Sequence, residues 1–399
     1  MKRAATKKTI TERAYGKIDW IMIVIVAILI AYGLLMLYSA SSYNASIEGK
    51  VPYYYVLRQL VFVVFGFGAM IAVTHIPFKF WKKVALPVFI ISIIAMFLIL
   101  SPLGFSSHGA KRWLNFGFTT VQPSELLKVA VILFTALMIT NLKQKTDDIK
   151  DYLFIIIGCV IGAALTAFIT DDLGTAIIIF AMGCLMIFVT CPKVKYLLFT
   201  VLGVVILGGT YIFLRPAKMQ RIEAWLNLDK YSDSIGYQIT QGLYAIGSGG
   251  IIGKGLGQGT QKLGFIPESE NDMIFSIICE ELGLFGAVVL IALFVLLLWR
   301  MKKIFDNTTD LYGRCIVVGV ASHIAIQTFI NLAVVINLIP NTGVPLPFIS
   351  YGGSAILFLL IEVGLVLSVG RNQEVIKVDV EKRNEYYQKE KNKNPETFL

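Results

Sequence analysis

Charge is what this sequence has least of. Asp, Glu, Lys and Arg make up 16% of its 399 residues, against about a quarter in an ordinary soluble domain. Water is therefore excluded as the main solvent of the fold. Alternation is missing too: runs such as Ile21 to Leu37 and Val288 to Leu298 do not switch between apolar and polar at every second position, which excludes a membrane β-barrel. There is no internal repeat, heptad run or low-complexity linker. The five cysteines, Cys159, Cys184, Cys191, Cys279 and Cys315, all fall in or beside apolar stretches, so no extracellular disulfide framework is implied.

What the chain has instead is apolar length. Hydrophobic residues fill 56% of positions and the mean hydropathy is +0.72. They come in blocks of about 18 to 25 residues, the length a helix needs to cross the hydrocarbon core. The blocks lie near 18–40, 54–74, 82–100, 123–141, 152–169, 173–190, 194–213, 272–299, 314–338 and 350–370. The fold class read from them is all-α: a polytopic membrane protein with about ten transmembrane helices in one bundle. The first block is too long for a signal-peptide core and is read as a retained span.

A net charge of +10 could suggest nucleic acid, but its placement argues otherwise. If the N-terminus is inside, the inside segments carry 25 of the 36 Lys and Arg residues, so the positive-inside rule puts both termini in the cytoplasm. The basic excess is topological, and no nucleic-acid partner is expected. The chain divides into a cytoplasmic tail 1–17, a transmembrane bundle 18–370 and a second cytoplasmic tail 371–399. Two outside stretches interrupt the bundle, 101–122 and a large extracytoplasmic loop 214–271, and loops this long without a role of their own are uncommon. The second is glycine-rich from Gly242 to Gly264. It fails as a nucleotide P-loop, which would need glycine at Ser248 and a hydroxyl at Gly255. Its backbone N–H groups could still cradle the pyrophosphate of a lipid carrier.

Four polar clusters stand where polarity costs most. Gly109-Ala110-Lys111-Arg112-Trp113 precedes Gln122-Pro123-Ser124-Glu125-Leu126-Leu127-Lys128. Here Pro123 opens a helix, and Glu125 and Lys128 share a face as either an interfacial ion pair or part of a diphosphate clamp. Asp171 and Asp172 occupy a tight outside turn, as a helix cap or a cation site. Pro267-Glu268-Ser269-Glu270-Asn271-Asp272 runs into Cys279-Glu280-Glu281-Leu282-Gly283. Ser276, Cys279, Glu280 and Gly283 should face the bundle interior. Asp272 is either a helix cap or a partly desolvated carboxylate suited to act as a base, and Asn271 alone would suffice as the cap. Finally Gln327 and Asn331 precede Pro340 to Ser354, three prolines and several glycines at membrane depth, which must be buried in protein or line a wet cavity. His323 reads as an interior histidine with its hydrogen bonds satisfied.

Taken in order, these motifs resemble the SEDS family, nearest its FtsW branch. Those that carry the resemblance are Arg112-Trp113, Gln122-Pro123-Ser124-Glu125 with Lys128, Asp172-Leu173-Gly174-Thr175, Gly236-Tyr237-Gln238, Pro267-Glu268 with Asn271-Asp272, Glu280-Glu281-Leu282-Gly283, and Thr342 to Phe348 with Ser350 to Ser354. The likeness covers roughly 18–370. Thr170-Asp171, Glu270-Asn271 and Ala355 depart from the family pattern. The resemblance implies an inverting peptidoglycan glycosyltransferase in the bacterial cytoplasmic membrane, joining lipid II units on the outer face during division or sporulation. It implies Asp272 as the catalytic base, and Arg112, Trp113, Glu125, Lys128, Asp172, Gln238 and Glu281 as substrate-binding residues. A divalent cation, magnesium or manganese, could help neutralise the leaving pyrophosphate, as could Arg215. The implied partners are a class B penicillin-binding protein, the transpeptidase, with divisome or related membrane proteins, besides membrane lipid. A lipid II flippase is the alternative, which midplane charge would favour, and a non-catalytic scaffold is the third reading.

Overall fold

The computed structural model describes residues 18–107, 110–117, 119–142, 148–191 and 195–371. The two predicted tails, apart from Arg371, lie outside the described residues, as do Gly109, Lys143, Lys145 and Lys193.

Among the described residues ten helices are long and apolar enough to cross a membrane: α1 (Trp20–Ile47), α2 (Tyr54–His75), α3 (Phe78–Leu98), α4 (Pro123–Asn141), α5 (Ile149–Ile169), α6 (Leu173–Thr190), α7 (Lys195–Phe213), α10 (Ile274–Asn307), α11 (Leu311–Val335) and α12 (Gly353–Arg371). An even number of crossings returns Arg371 to the side on which α1 begins. The helices are apolar on covered and uncovered faces alike, because lipid takes the place of water outside. Met22 is sealed in the core while Val24 is 53% exposed, and Met70 is buried while Phe65 is 67% exposed. Helices α4, α11 and α12 form the best-covered part of the bundle.

Local chemistry sets several helix ends. Asp19, Asp172 and Asp310 cap α1, α6 and α11 by accepting from Met22 N, Thr175 N and Gly313 N, and Pro123 opens α4. At the inner side Arg300 of α10 meets Asp19 at 2.5 Å. Ser39 of the same α1 meets Glu281 of the same α10, so the two helices run antiparallel across the whole layer.

The outer connections are more ordered than the sequence suggested. Residues 101–122 include a small antiparallel sheet, β1 (Gly104–Ser107), β2 (Ala110–Asn115) and β3 (Thr120–Val121), with Phe105 opposite Trp113 and Leu114 opposite Val121. Loop 214–271 holds two short helices, α8 (Pro216–Leu226) and α9 (Tyr237–Gly249). Helix α10 begins two residues later and ends eight later than its apolar block implied.

α10 is also broken. Gly283 adopts φ 65° and ψ −164°, a conformation that glycine reaches without a Cβ penalty. The glycine-rich loop fills the break. Leu284 N and Phe285 N donate to Gly250 O and Ile251 O, while Lys254 N and Gly255 N donate to Glu280 O and Glu281 O. Backbone groups freed at the membrane boundary are thus satisfied by an inserted segment, as the hydrocarbon requires.

Candidate active site

Asp272 lies just before α10, on the outer side. Sequence left helix capping as one explanation for it, and the structure removes that explanation. The N-cap residue of α10 is Met273, with no side-chain cap, and the Asn271 amide turns away to Glu268 Oε2 at 3.0 Å. The Asp272 carboxylate is therefore free of a capping role.

Three segments distant in sequence hold it. From α11, Asn331 Nδ2 donates to Asp272 O at 2.7 Å and to Val344 O at 2.9 Å. From α9, Gln238 Nε2 donates to Asp272 Oδ1 at 3.2 Å and to Pro267 O at 3.0 Å. The segment 336–352 closes the other side: Ser350 Oγ donates to Asn271 O at 2.6 Å, and Tyr351 N to Glu270 O at 2.9 Å. Burial among these segments pushes the Asp272 carboxyl up to about 7, helped by the charge of Glu268 and opposed by its own backbone N–H, by Arg221 and by Gln238. A carboxylate so tuned is basic enough to take a proton near neutrality.

Cations gather on the same outer side. Arg112, on β2, donates to Thr170 O and Asp171 O and pairs with Asp172 Oδ2 at 3.3 Å. Lys218 of α8 pairs with Asp171 Oδ2 at 2.9 Å and also donates to Asp171 O. Burial alone would raise the Asp171 carboxyl, but the Lys218 and Tyr211 bonds outweigh it and hold it low. Arg221, one turn along α8, donates to Asn341 O at 3.3 Å.

A profile of the family described as "Cell cycle protein", covering FtsW, RodA and SpoVE, matches residues 19–375. The chain belongs to this family. It is 36% identical to stage V sporulation protein E of Bacillus subtilis strain 168, over 88% of this chain and 97% of that protein. Identity to the probable peptidoglycan glycosyltransferase FtsW of Geobacter sp. strain M18 is 35%, over 88% and 96%. Among solved structures, a chain from a study of how a peptidoglycan synthase complex coordinates polymerization and crosslinking superposes with a TM-score of 0.75. It is 26% identical, with 90% of this chain and 98% of that one covered. RodA of Thermus thermophilus superposes with a TM-score of 0.66 at 25% identity, with the same coverage.

The family motifs do not all converge on Asp272. Glu125 and Lys128 form a buried pair at 2.9 Å inside the bundle. Lys128 also donates to Gln327 Oε1 at 3.1 Å, and His323 Nε2 meets that same oxygen at 2.9 Å. His323 Nδ1 lies 2.7 Å from Glu362 Oε2, so its ring nitrogens are both engaged, as expected. Gln327 Nε2 in turn donates to Pro345 O, linking this interior cluster to the segment that borders Asp272. Trp113 stands on β2 next to Arg112, at the point where the β1–β2 register slips between Phe105 and Ser106.

Glu281 is not brought to the site. Its carboxylate is fully buried and accepts from Lys262, Ser39, Gly257 N and Gly259 N. Glu280 accepts from Lys254, Thr260 N and Gln261 N. The glycine-rich loop does cradle anions through its backbone, but the anions are the protein's own carboxylates. The N–H groups of Gly257, Gly259, Thr260 and Gln261 are thus taken by Glu280 and Glu281.

The Asp171–Asp172 turn fits a divalent cation poorly, since its two carboxylates already face Lys218 and Arg112. Among the described residues no group of three or more His, Cys, Asp or Glu converges as metal ligands would. Sequence reasoning missed Lys218, Arg221, Asn341 and Glu362. The first two were legible as basic residues in the large outer loop. Nothing in the sequence connected the last two to their partners.

Proposed function

We propose that this chain is an inverting glycosyltransferase that joins lipid II units into glycan strands on the outer face of the bacterial cytoplasmic membrane. The observation that carries this reading is the Asp272 carboxylate: on the outer side, no helix cap, half-buried, and anchored by Asn331 and Gln238. Relatives named as peptidoglycan glycosyltransferases support the same class of reaction.

Asp272 takes the proton from the acceptor sugar's 4-hydroxyl as that oxygen attacks the anomeric carbon of the donor. The undecaprenyl diphosphate leaves from the opposite face. It departs without protonation, so its need is charge neutralisation, which Arg112, Lys218 and Arg221 supply from one outer surface. Lys128 and Glu125 act from beneath, by holding Gln327 and hence the 345 segment. Gln238 serves the base more directly than the sugar. A single-span class B penicillin-binding protein is the proposed partner, a pairing supported by the likeness to a chain of a peptidoglycan synthase complex. Divisome or related proteins would bring the pair to its place of work.

The test uses the full chain purified with its transpeptidase partner and given labelled lipid II. Asp272→Ala and Asp272→Asn should each lose at least ~100-fold of polymerisation, the lower range for a general base. Equal polymer from parent and variants would end this reading. A parent that makes no polymer but speeds lipid II exchange across vesicles would favour a flippase.

A further inference from the structure

The two oxygens of Asp272 have different surroundings, and the difference is built by residues other than Asp272. Gly343 N donates to Asn341 Oδ1 at 3.0 Å. That bond fixes the Asn341 amide, because an N–H can be met only by the oxygen. The Asn341 NH₂ group is then turned to Gln238 Oε1 at 2.9 Å. Gln238, with its oxygen so occupied, must present its own NH₂ group to Pro267 O and Asp272 Oδ1. Each amide leaves the next one a single orientation.

The far oxygen faces a glycine. Oδ2 looks toward Gly343, where an added Cβ would lie 3.9 Å away, and Gly343 itself sits at φ 68°. No side-chain donor among the described residues is hydrogen-bonded to Oδ2. A hydroxyl approaching over Gly343 would meet that oxygen first.

We infer that Asn341 is a positioning residue of the proposed transferase: acting through Gln238, it holds Asp272 Oδ1 with an N–H and leaves Oδ2 as the proton acceptor. The inference rests on Asp272 serving as the base. The donated N–H favours the charged carboxylate. The other charged groups facing Asp272 are Glu268 from its own segment, which opposes ionisation, and Arg221 from α8, which favours it. Without Asn341 the Gln238 amide is held from its NH₂ side alone, by Pro267 O and Asp272 Oδ1, so its donation to Oδ1 is less firmly placed and favours the negative form less.

The experiment compares the parent complex with Asn341→Ala, Gln238→Ala, the double variant and Asp272→Ala, following polymerisation of labelled lipid II across pH. Asn341→Ala should lose about tenfold in kcat, roughly what one hydrogen bond to a charged group is worth in rate. KM should change little, and the acidic limb of its profile should move to higher pH. The double variant should be no worse than Gln238→Ala alone, since both residues act along one line. Where the alanine variant does not assemble, Asn341→Asp carries the test: it is isosteric, keeps the Gly343 bond, and turns an oxygen toward Gln238, so the same alkaline move is expected. A parental limb in the variant that assembles, or losses that multiply in the double variant, overturns the inference. If Asp272→Ala polymerises like the parent, the functional reading itself falls, which is a separate outcome.

Discussion

The Glu281 carboxylate meets the Lys262 ammonium at 2.5 Å, with the side chains 0% and 5% exposed. Lys262 also reaches Ser39 Oγ on α1 at 2.6 Å, so one ion pair ties the glycine-rich loop, α1 and the broken α10 together. Removing one partner of a buried pair strands the other charge and costs about 3–5 kcal/mol. Lys262→Met should therefore melt well below the parent in detergent. Lys262→Met with Glu281→Gln, which removes both charges and keeps an oxygen for the Gly257 and Gly259 N–H groups, should recover much of the loss. Thermal unfolding followed by size exclusion checks this. A Lys262→Met protein as stable as the parent would show that the pair holds nothing together. Whatever fraction of either variant assembles should keep the parental KM, because neither residue lies at the site.

The pH dependence follows from Asp272. Its carboxyl is raised to about 7, and only the deprotonated form can accept a proton. The rate should therefore fall as pH drops through about 7 and level off above it. The neighbours move that limb in opposite directions. Glu268→Gln removes a charge that raises the carboxyl, so its limb should lie at lower pH. Arg221→Ala removes a charge that lowers it, so its limb should lie at higher pH. Rates of polymerisation between pH 5.5 and 9 decide. Limbs that shift together, or not at all, would mean that the titrating group is elsewhere.

The spans were legible because lipid demands nearly unbroken apolar length, and this is written directly in the residues. Asp272 was legible as a carboxylate at the edge of such a span. Its immediate neighbours were not, because the contacts that place them are long-range. Asn331 lies 59 residues from Asp272, and Asn341 lies 103 from Gln238. The outer sheet was hidden for a similar reason, since its pairing is set by register and not by alternation within Ala110–Asn115. Glu280 was correctly read as an interior group, but its partners, like those of Glu281, include backbone N–H groups of a glycine-rich loop. That loop had suggested an external anion. The break in α10 leaves only Gly283 as a trace, one glycine among 34.

Lys128 separates two roles that sequence could not. Its side chain is 3% exposed, paired with Glu125 and bonded to Gln327, so a diphosphate on the outer surface does not reach it. Lys128→Ala strands a buried carboxylate and should destabilise the bundle by about 3–5 kcal/mol, taking polymerisation down with it. Lys128→Met with Glu125→Gln removes both charges while keeping their volume. That double variant should assemble, melt near the parent, and regain a substantial part of the activity with KM little changed. Melting curves and lipid II polymerisation on the same preparations check both halves. A double variant that assembles and melts like the parent yet makes no polymer would mean that the charge of Lys128 acts on the substrate, and that the bundle opens far enough during turnover to expose it.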